Sequence, residues 1–265
     1  MQAPLDSAFT PHAPQRTLTL WAALGLIALY FVLQYVVGAV VGLLVGLTVG
    51  LAHGLRGGEA MARLQTLVVQ PDVNAAMVIL TLLITATVTL LLARRRWPAL
   101  WALAAPPGFG FAPPRQAGYY VAAIALGLAL PFLGGLLTQW FAQGHEVSQD
   151  IKQLGATASP ALRIPLALLV VSLGPVVEEL LFRGVLLSAA VRHLPPGTAT
   201  FLTAALFACV HLPDLGFLWY ALPNLLLLGL VLAWLRLASG SLWPAILAHA
   251  VNNALAVVSW FVVMP

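Results

Sequence analysis

The sequence predicts an all-α membrane protein, a polytopic bundle of about seven transmembrane helices. Hydrophobic residues make up 61% of its 265 positions and charged residues only 8%, whereas a soluble domain carries about 25% charged residues. Several apolar runs exceed the roughly 18 residues that a bilayer-spanning helix needs. The runs are continuous rather than alternating, which argues against a transmembrane β-barrel. An unusually apolar soluble protein is the weaker alternative.

Seven apolar runs are expected to cross the membrane, after a polar N-terminal tail at residues 1–17. They lie at residues 18–51, 73–93, 117–141, 161–193, 198–212, 217–237 and 242–263. The run after the tail is too long for the h-region of a cleaved signal peptide, so we take it as the first span. This run exceeds a ~30 Å hydrocarbon core and would tilt or protrude, and folding it into a hairpin would give eight spans.

The connecting segments differ in character. Residues 52–72 are mixed polar, and three consecutive arginines close the second run. Residues 97–116 are rich in proline, glycine and aromatic residues, and their tryptophans suit a membrane interface. Residues 142–160 are polar and predict either an exposed loop or a short surface helix. The links between the last three runs are very short, so these helices are expected to pack as antiparallel neighbours.

The fourth run, residues 161–193, is too long for a simple upright span. Pro175 lies in its middle and removes a backbone hydrogen bond, so the helix is expected to bend there. The run also carries the most informative feature of the chain, two adjacent glutamates followed by an arginine in Glu178-Glu179-Leu180-Leu181-Phe182-Arg183. A proline-proline-glycine segment at residues 195–197 ends the run.

The distribution of basic residues predicts a cytoplasmic N-terminus. With this orientation the inner loops hold Arg16, Arg94, Arg95, Arg96, Arg115, Arg192 and Arg236, and the outer loops hold Arg56, Arg63, Lys152 and Arg163. Basic residues are enriched on the cytoplasmic side of membranes. The sequence lacks a basic stripe with interleaved aromatic residues, so no nucleic-acid partner is expected. The arginine-rich, lysine-poor composition suggests a bacterium of high GC content, and therefore its inner membrane.

Ionisable groups inside the predicted spans are few and lie in the C-terminal half. They are Glu178, Glu179, Arg183, His211 and His249. Burying a charge in hydrocarbon costs roughly 2.5–3.5 kcal/mol on insertion scales, so such a cluster indicates a functional site. Four other groups lie near span ends, where long side chains can reach the interface: Arg163, Arg192, His193 and Arg236.

Helix geometry gives the two glutamates different roles. Glu179 and Arg183 are four residues apart, so they share a helical face and can form a structural pair that offsets its own burial. Glu178 points about 100° away and has no local counter-charge. A carboxylate of this kind, placed near histidines, has the profile of a general base.

Two further pairs share a helical face, Phe207 with His211 and His249 with Asn253. One carboxylate, two imidazoles and one carboxamide could therefore converge between three helices, around Glu178. A lone buried histidine is more often a satisfied core residue, but the intramembrane setting favours a site here. Buried amides also serve as contacts between helices, which is the alternative for Asn253. Phe207 is expected to form a wall of the pocket.

Three motifs carry a resemblance to a known family: Glu178-Glu179-x-x-x-Arg183, Phe207-x-x-x-His211 and His249-x-x-x-Asn253. In this order and on successive helices, they resemble the CAAX protease and bacteriocin-processing family (CPBP, or Abi) of intramembrane proteases. The type II CAAX prenyl endopeptidase belongs to this family. The resemblance covers about residues 160–260 and implies a catalytic transmembrane core at residues 161–265. Residues 18–160 would form a separate N-terminal transmembrane region.

The resemblance implies a hydrolase that cleaves a peptide bond. The roles it implies are water activation for Glu178 and His211, oxyanion binding for His249 and Asn253, and structural support for Glu179 and Arg183. It also implies a glutamate-dependent mechanism without a metal, and the sequence has no His-Glu-x-x-His zinc signature. As an alternative, Glu178, His211 and His249 could bind zinc with an open fourth position.

Two other classes of protein remain open on the sequence. A proton- or ion-coupled transporter also places carboxylates and histidines at mid-membrane, but no paired inverted repeats are visible in this chain. A catalytically silent protein that holds a lipid or a peptide in the same cavity is the second alternative. For a protease, the expected partners are a peptide or membrane-protein substrate and the lipid bilayer.

Overall fold

The computed structural model describes residues 17–54, 57–145 and 150–262. Within these ranges the chain is helical and contains no β-strand, which confirms the predicted all-α fold. The helices are α1 (Leu20–His53), α2 (Gly57–Val68), α3 (Pro71–Arg96), α4 (Gly118–Ala142), α5 (Asp150–Thr157), α6 (Pro160–Val171), α7 (Leu173–Glu179), α8 (Leu187–Ala190), α9 (Pro196–Cys209), α10 (Leu222–Ser239) and α11 (Trp243–Val262). A π-helical segment, Leu180–Leu186, joins α7 to α8. Most of the predicted tail, with Arg16, lies outside the described residues, as does Arg56.

Six helices of the described ranges are long and apolar enough to cross a membrane. They are Leu20–His53, Pro71–Arg96, Gly118–Ala142, the composite run Pro160–Ala190, Trp219–Ser239 and Trp243–Val262. The shorter apolar helix α9 corresponds to the fifth predicted run. The first run is one unbroken helix of 34 residues, so the hairpin that would have given eight spans does not occur.

α1 presents a narrow buried stripe to the rest of the bundle. Its buried residues are spaced three and four apart and end one third of the way along the helix: Ala23, Leu26, Ile27 and Tyr30. This periodicity is that of one helical face. The stripe packs against the π-helical segment, while the remainder of α1 contacts α3 and the surface helix α2. α1 therefore reaches the C-terminal half through its first turns.

The fourth run is broken at Ser172, one turn before Pro175. α6 ends at Val171, and α7 resumes at Leu173. Pro175 has no N–H to donate to the carbonyl of Val171, and its ring crowds that carbonyl. The chain therefore bends at Ser172 and then continues as α7 to the paired glutamates.

The π-helical segment is the most deeply packed part of the chain. All of its residues, Leu180–Leu186, are buried. Its apolar side chains, all except Arg183 and Gly184, belong to an apolar cluster that also includes side chains from α1, α3, α4, α9, α10 and α11. π-Helical turns are rare and occur frequently at functional sites. The paired glutamates thus immediately precede a segment that is fixed from every side.

The loop at residues 97–116 folds back over one end of the bundle. Phe109, at its centre, is fully buried. Arg236, near the end of α10, donates hydrogen bonds to the carbonyls of Ala104 at 2.9 Å and Gly108 at 2.7 Å. The loop is therefore held in place by a cation that binds its backbone.

Two arginines that we expected at the membrane interface are buried instead. Arg236 is 1% exposed and Arg163 is 8% exposed. The guanidinium of Arg163 donates to the carbonyls of Ala156, Ala158 and Trp260. The expectation is wrong for both residues, because backbone carbonyls accept their N–H groups inside the protein. These carbonyls lie near helix ends for Arg163 and in the loop at residues 97–116 for Arg236.

The polar segment at residues 142–160 contains a short surface helix, α5, the second of the two predicted alternatives. Its inner face buries Leu154 and Gly155. A Cβ at Gly155 would come within 2.3 Å of the indole of Trp260, so glycine permits α5 to lie directly on α11. α5 also contacts the turn Pro213–Leu215, which follows α9.

The helices of the C-terminal half pack as the short links predict, with α10 in contact with both α9 and α11. α4, from the N-terminal half, packs extensively against α10 and α11. The division of the chain at residue 160 and the orientation in the membrane stay predictions.

Candidate active site

Glu178, His211 and His249 lie together where α7, α9 and α11 meet. The Oε2 atom of Glu178 is 3.9 Å from Nε2 of His211 and 3.8 Å from Nε2 of His249. Both distances exceed the roughly 3.2 Å upper limit of an N–H···O hydrogen bond. The Oε2 atom is buried and has no hydrogen-bond partner among the described residues. The carboxylate therefore faces two imidazoles and is bonded to neither of them.

The cluster is open on one side. The side chains of Glu178 and His211 are 23% and 21% exposed, whereas that of His249 is 4% exposed. Glu178 and His211 therefore form the accessible side of the cluster, and His249 forms its closed back.

Glu179 lies behind this cluster and connects three elements. Its Oε1 atom accepts hydrogen bonds from Arg183 at 3.0 Å and from Nδ1 of His249 at 2.9 Å. Arg183 also donates to the carbonyl of Gly229 on α10 at 3.1 Å. The pair with Arg183 forms at the spacing that helix geometry predicts. The bond to His249 was missed by the sequence reasoning, because spacing within one helix says nothing about contacts with another.

Hydrogen bonds at Nδ1 orient both imidazoles. Nδ1 of His211 lies 2.7 Å from the carbonyl oxygen of Phe207, and Nδ1 of His249 lies 2.9 Å from Glu179 Oε1. A carbonyl and an ionised carboxylate only accept, so in this arrangement each Nδ1 carries a proton. In a neutral ring this makes Nε2, the atom that faces Glu178, an acceptor.

Phe207 forms the wall between the two histidines. Its ring centroid is 4.8 Å from that of His211 and 5.9 Å from that of His249. The guanidinium carbon of Arg183 lies 4.3 Å from the same ring.

His211 itself lies in the turn after α9 rather than on the predicted helix, and its backbone N–H donates to the carbonyl of Ala208 at 3.2 Å. It keeps its place beside Phe207 because the turn remains helix-like.

Asn253 lies one turn beyond His249 on α11 and is bound to α6. Its Nδ2 donates to the carbonyl of Val170 at 3.0 Å, and its Oδ1 accepts from Asn252 at 3.2 Å. Its described hydrogen bonds do not include the three clustered side chains. The structure therefore fixes the orientation of this amide next to the cluster without bonding it to the cluster.

Asp214 links the segment that carries His211 to the surface helix α5. Burial raises the pKa of the Asp214 carboxyl above its usual value, and a hydrogen bond from the backbone of Ile151 and attraction to His211 partly offset this rise. Ile151 lies at the start of α5, where free N–H groups favour an acidic partner. The turn after α9 is thus anchored from outside the membrane-spanning segments.

The described residues contain no group of three or more histidine, cysteine, aspartate or glutamate side chains arranged to hold a metal ion. Tetrahedral zinc ligands at about 2.0–2.1 Å from the ion lie about 3.4 Å from one another. The nitrogens of His211 and His249 are 3.9 and 3.8 Å from the Glu178 oxygen. These separations are longer than those between ligands of one zinc ion, and the absence of a metal stays a prediction.

Carboxylates and imidazoles lie together inside a bundle of long apolar helices. The fold and the site therefore place this chain in the class of membrane proteins with a buried polar site. Residues 160–255 match the family model described as Type II CAAX prenyl endopeptidase Rce1-like. Over these residues the chain is similar to the CAAX protease family, as its motifs led us to expect. Comparisons with curated proteins and with solved structures give no match.

The family match and the helices agree on the broad class. At the level of the family they support an intramembrane protease that acts on a peptide or protein substrate. The apolar helices point to an integral, multi-pass membrane protein. All of the clustered side chains, and Asn253, lie within the matched residues 160–255.

Proposed function

We propose that this protein is a glutamic intramembrane endopeptidase of the CAAX type, in which Glu178 activates a water to hydrolyse a peptide bond. The observation that carries the proposal is the position of Glu178 Oε2, buried, without a hydrogen-bond partner among the described residues, and facing Nε2 of both His211 and His249. An acceptor in this state is suited to take a proton from a bound water.

In the proposed mechanism Glu178 and His211 bind the attacking water. Their acceptor atoms, Glu178 Oε2 and His211 Nε2, lie 3.9 Å apart. The carboxylate takes the proton while the water oxygen attacks the scissile carbonyl carbon. The carboxyl group then returns that proton to the amine as the C–N bond breaks. Amide hydrolysis needs a base and a later acid of this kind, and one group can serve as both.

His249 and Asn253 are proposed to stabilise the oxyanion that forms on the carbonyl. Nδ1 of His249 is already bonded to Glu179, so Nε2 can donate when the ring carries both protons. The amide of Asn253 has two N–H donors. One of them is used by Val170, and the other is available for the oxyanion.

Asn253→Ala is expected to lower kcat by roughly 10²–10³, the usual loss for one oxyanion donor. The loss should lie in kcat rather than in KM, because the bond is made in the transition state. Cleavage of a quenched fluorescent peptide by the full-length protein in detergent measures both constants. Asn74→Ala, which removes an amide from the first turn of α3, is the matched control. A kcat unchanged by Asn253→Ala would contradict the oxyanion role.

Hydrolysis without a metal is also part of the proposal. We expect activity to survive exhaustive chelation, with no stoichiometric zinc in the purified protein by elemental analysis. The observation that supports this expectation is that the histidine nitrogens lie 3.9 and 3.8 Å from Glu178 Oε2, longer than the separation between ligands of one zinc ion. Loss of activity on chelation, restored by added zinc and not by magnesium, would replace this mechanism with the zinc alternative.

The same preparation separates the protease from the two other classes. A transporter would move protons or ions across proteoliposomes without cleaving any peptide, and a silent binder would do neither. We also propose a bacterial inner-membrane location with a cytoplasmic N-terminus, on the distribution of arginines along the chain.

A further inference from the structure

Six arginines lie at the end of the bundle that is covered by the loop between α3 and α4. We call this set the arginine face: Arg94, Arg95, Arg96, Arg115, Arg192 and Arg236. The first three end α3, and the backbone N–H of Arg115 donates to the carbonyl of Ser239 at the end of α10, at 2.9 Å. Arg192 follows α8, where Ser188 donates to the carbonyl of Gly108 in that loop at 2.9 Å. Separate segments of the chain thus bring positive charge to one end.

The positive charge of the arginine face is not balanced within the described residues. None of its members forms a salt bridge with a described carboxylate. Those carboxylates lie on α2, in the first turn of α3, on α5, in the candidate site and in the turn after α9: Glu59, Asp72, Asp150, Glu178, Glu179 and Asp214. Arg236 is buried, its Nε has no described hydrogen-bond partner, and its other bonds go to uncharged carbonyls. Buried charges are usually paired, so this end favours an anionic partner.

A row of aromatic rings places the arginine face at the level of the lipid headgroups. The guanidinium carbon of Arg94 lies 5.3 Å from the ring centroid of Trp101. Trp101 stacks on Phe111 with centroids 4.9 Å apart, and Phe111 packs edge-on against Trp243 at 5.5 Å. Trp243 begins α11 and is 42% exposed. Tryptophans concentrate where the hydrocarbon of a bilayer meets its headgroups, so the exposed end of this row marks that boundary.

Arg94 and Arg115 are the exposed cations whose positions the structure defines best. Arg94 lies against Trp101, as described, and both arginine side chains are exposed. Arg115 lies over the end of α10, where a Cβ at Gly240 would come within 3.2 Å of its Nε. A guanidinium presents a planar fork of N–H donors that matches the oxygens of a phosphate. Both side chains can therefore bind a phosphate group from outside the bundle.

We propose that the arginine face binds the phosphate of an anionic phospholipid, through Arg94 and Arg115, while the buried charge of Arg236 adds to the attraction. A lipid fits better than a free phosphate because apolar surface adjoins the face. Trp234, two residues before Arg236, is 51% exposed, so an acyl chain can lie along α10 below the headgroup. Basic pockets between transmembrane helices bind anionic headgroups in this way. The inference does not depend on the proposed protease activity.

The melting temperature of the full-length protein in detergent tests which ligand the face takes. Phosphatidylglycerol should raise the melting temperature in a concentration-dependent manner, because a ligand that binds the folded state stabilises it. Phosphatidylcholine, which has no net charge, and inorganic phosphate should not raise it at the same concentrations. Equal rises with the two lipids would show a general lipid effect, and an equal rise with inorganic phosphate would show a free-anion site. Either result would overturn the proposal.

Substitutions locate the binding site on the surface. Arg94→Ala and Arg115→Ala should each raise the phosphatidylglycerol concentration needed for half of the thermal shift by about fivefold, and the double variant by about 25-fold. Arg63→Ala is the matched control, because Arg63 is an exposed arginine on α2, at the other end of the bundle. It should leave this concentration unchanged. Each variant is compared with its own lipid-free sample, so a change in its basal stability does not enter. A double variant with the wild-type response would disprove the assignment.

Discussion

Replacing Glu178 with alanine is expected to abolish peptide cleavage and to leave the helix bundle intact. The carboxylate is the proposed base, and neither imidazole can replace it without moving. General-base catalysis contributes typically 10²–10⁴-fold, so the residual rate should be close to the uncatalysed background. Removing this side chain also removes a buried, unsatisfied oxygen, so no large loss of stability should accompany the loss of activity. The quenched-peptide assay and a melting curve on the same preparation measure the two effects.

Glu59→Ala provides the comparison for this variant. Glu59 is an exposed carboxylate in the first turn of α2, and its removal should change neither the rate nor the melting temperature. Glu178→Gln, which keeps the shape of the side chain but cannot accept a proton, should be as inactive as Glu178→Ala. Full activity in either Glu178 variant would rule out this residue as the base.

Arg183→Ala is expected to destabilise the protein more than any of the other single substitutions. Arg183 is 1% exposed and is bonded both to Glu179 and to the carbonyl of Gly229. Removing one partner of a buried ion pair typically costs about 3–5 kcal/mol, because the other charge is left buried and uncompensated. The change also removes the hydrogen bond that joins the π-helical segment to α10. Lower expression and a lower melting temperature in detergent are the expected results.

The comparison for Arg183 is Arg95→Ala, which removes an exposed arginine at the end of α3 and should leave the melting temperature unchanged. A second variant, Arg183→Met combined with Glu179→Gln, removes both charges of the pair. It should recover much of the stability lost in Arg183→Ala. It should not recover activity, because Glu179 also binds His249. An Arg183→Ala protein that melts like the wild type would disprove the structural role of the pair.

Much of the fold could be predicted from the sequence because the membrane simplifies the problem. Backbone groups in hydrocarbon must bond within their own segment, so each long apolar run becomes a helix. The interruption of the fourth run could be predicted from Pro175, because proline lacks the N–H that would bond the carbonyl four residues earlier in the helix. Glu178, His211 and His249 could also be singled out as candidate site residues. They are among the few ionisable groups inside the spans, and burying each of them costs too much free energy to occur without a function.

The contacts between helices could not be predicted in the same way. The helical spacing of residues shows which side chains share a face of one helix. It does not show which other helix packs against that face, so the bond between Glu179 and His249 was missed. The burial of Arg236 was missed for a related reason, because its partners are carbonyls of a loop far away in the sequence.

The loop at residues 97–116 bears on the direction from which a substrate can approach the site. It covers the end of α10 where Arg236 lies, whereas the turn that bears His211 precedes the opposite end of that helix. We therefore expect polypeptide and water to approach Glu178 from the end of α10 that follows His211.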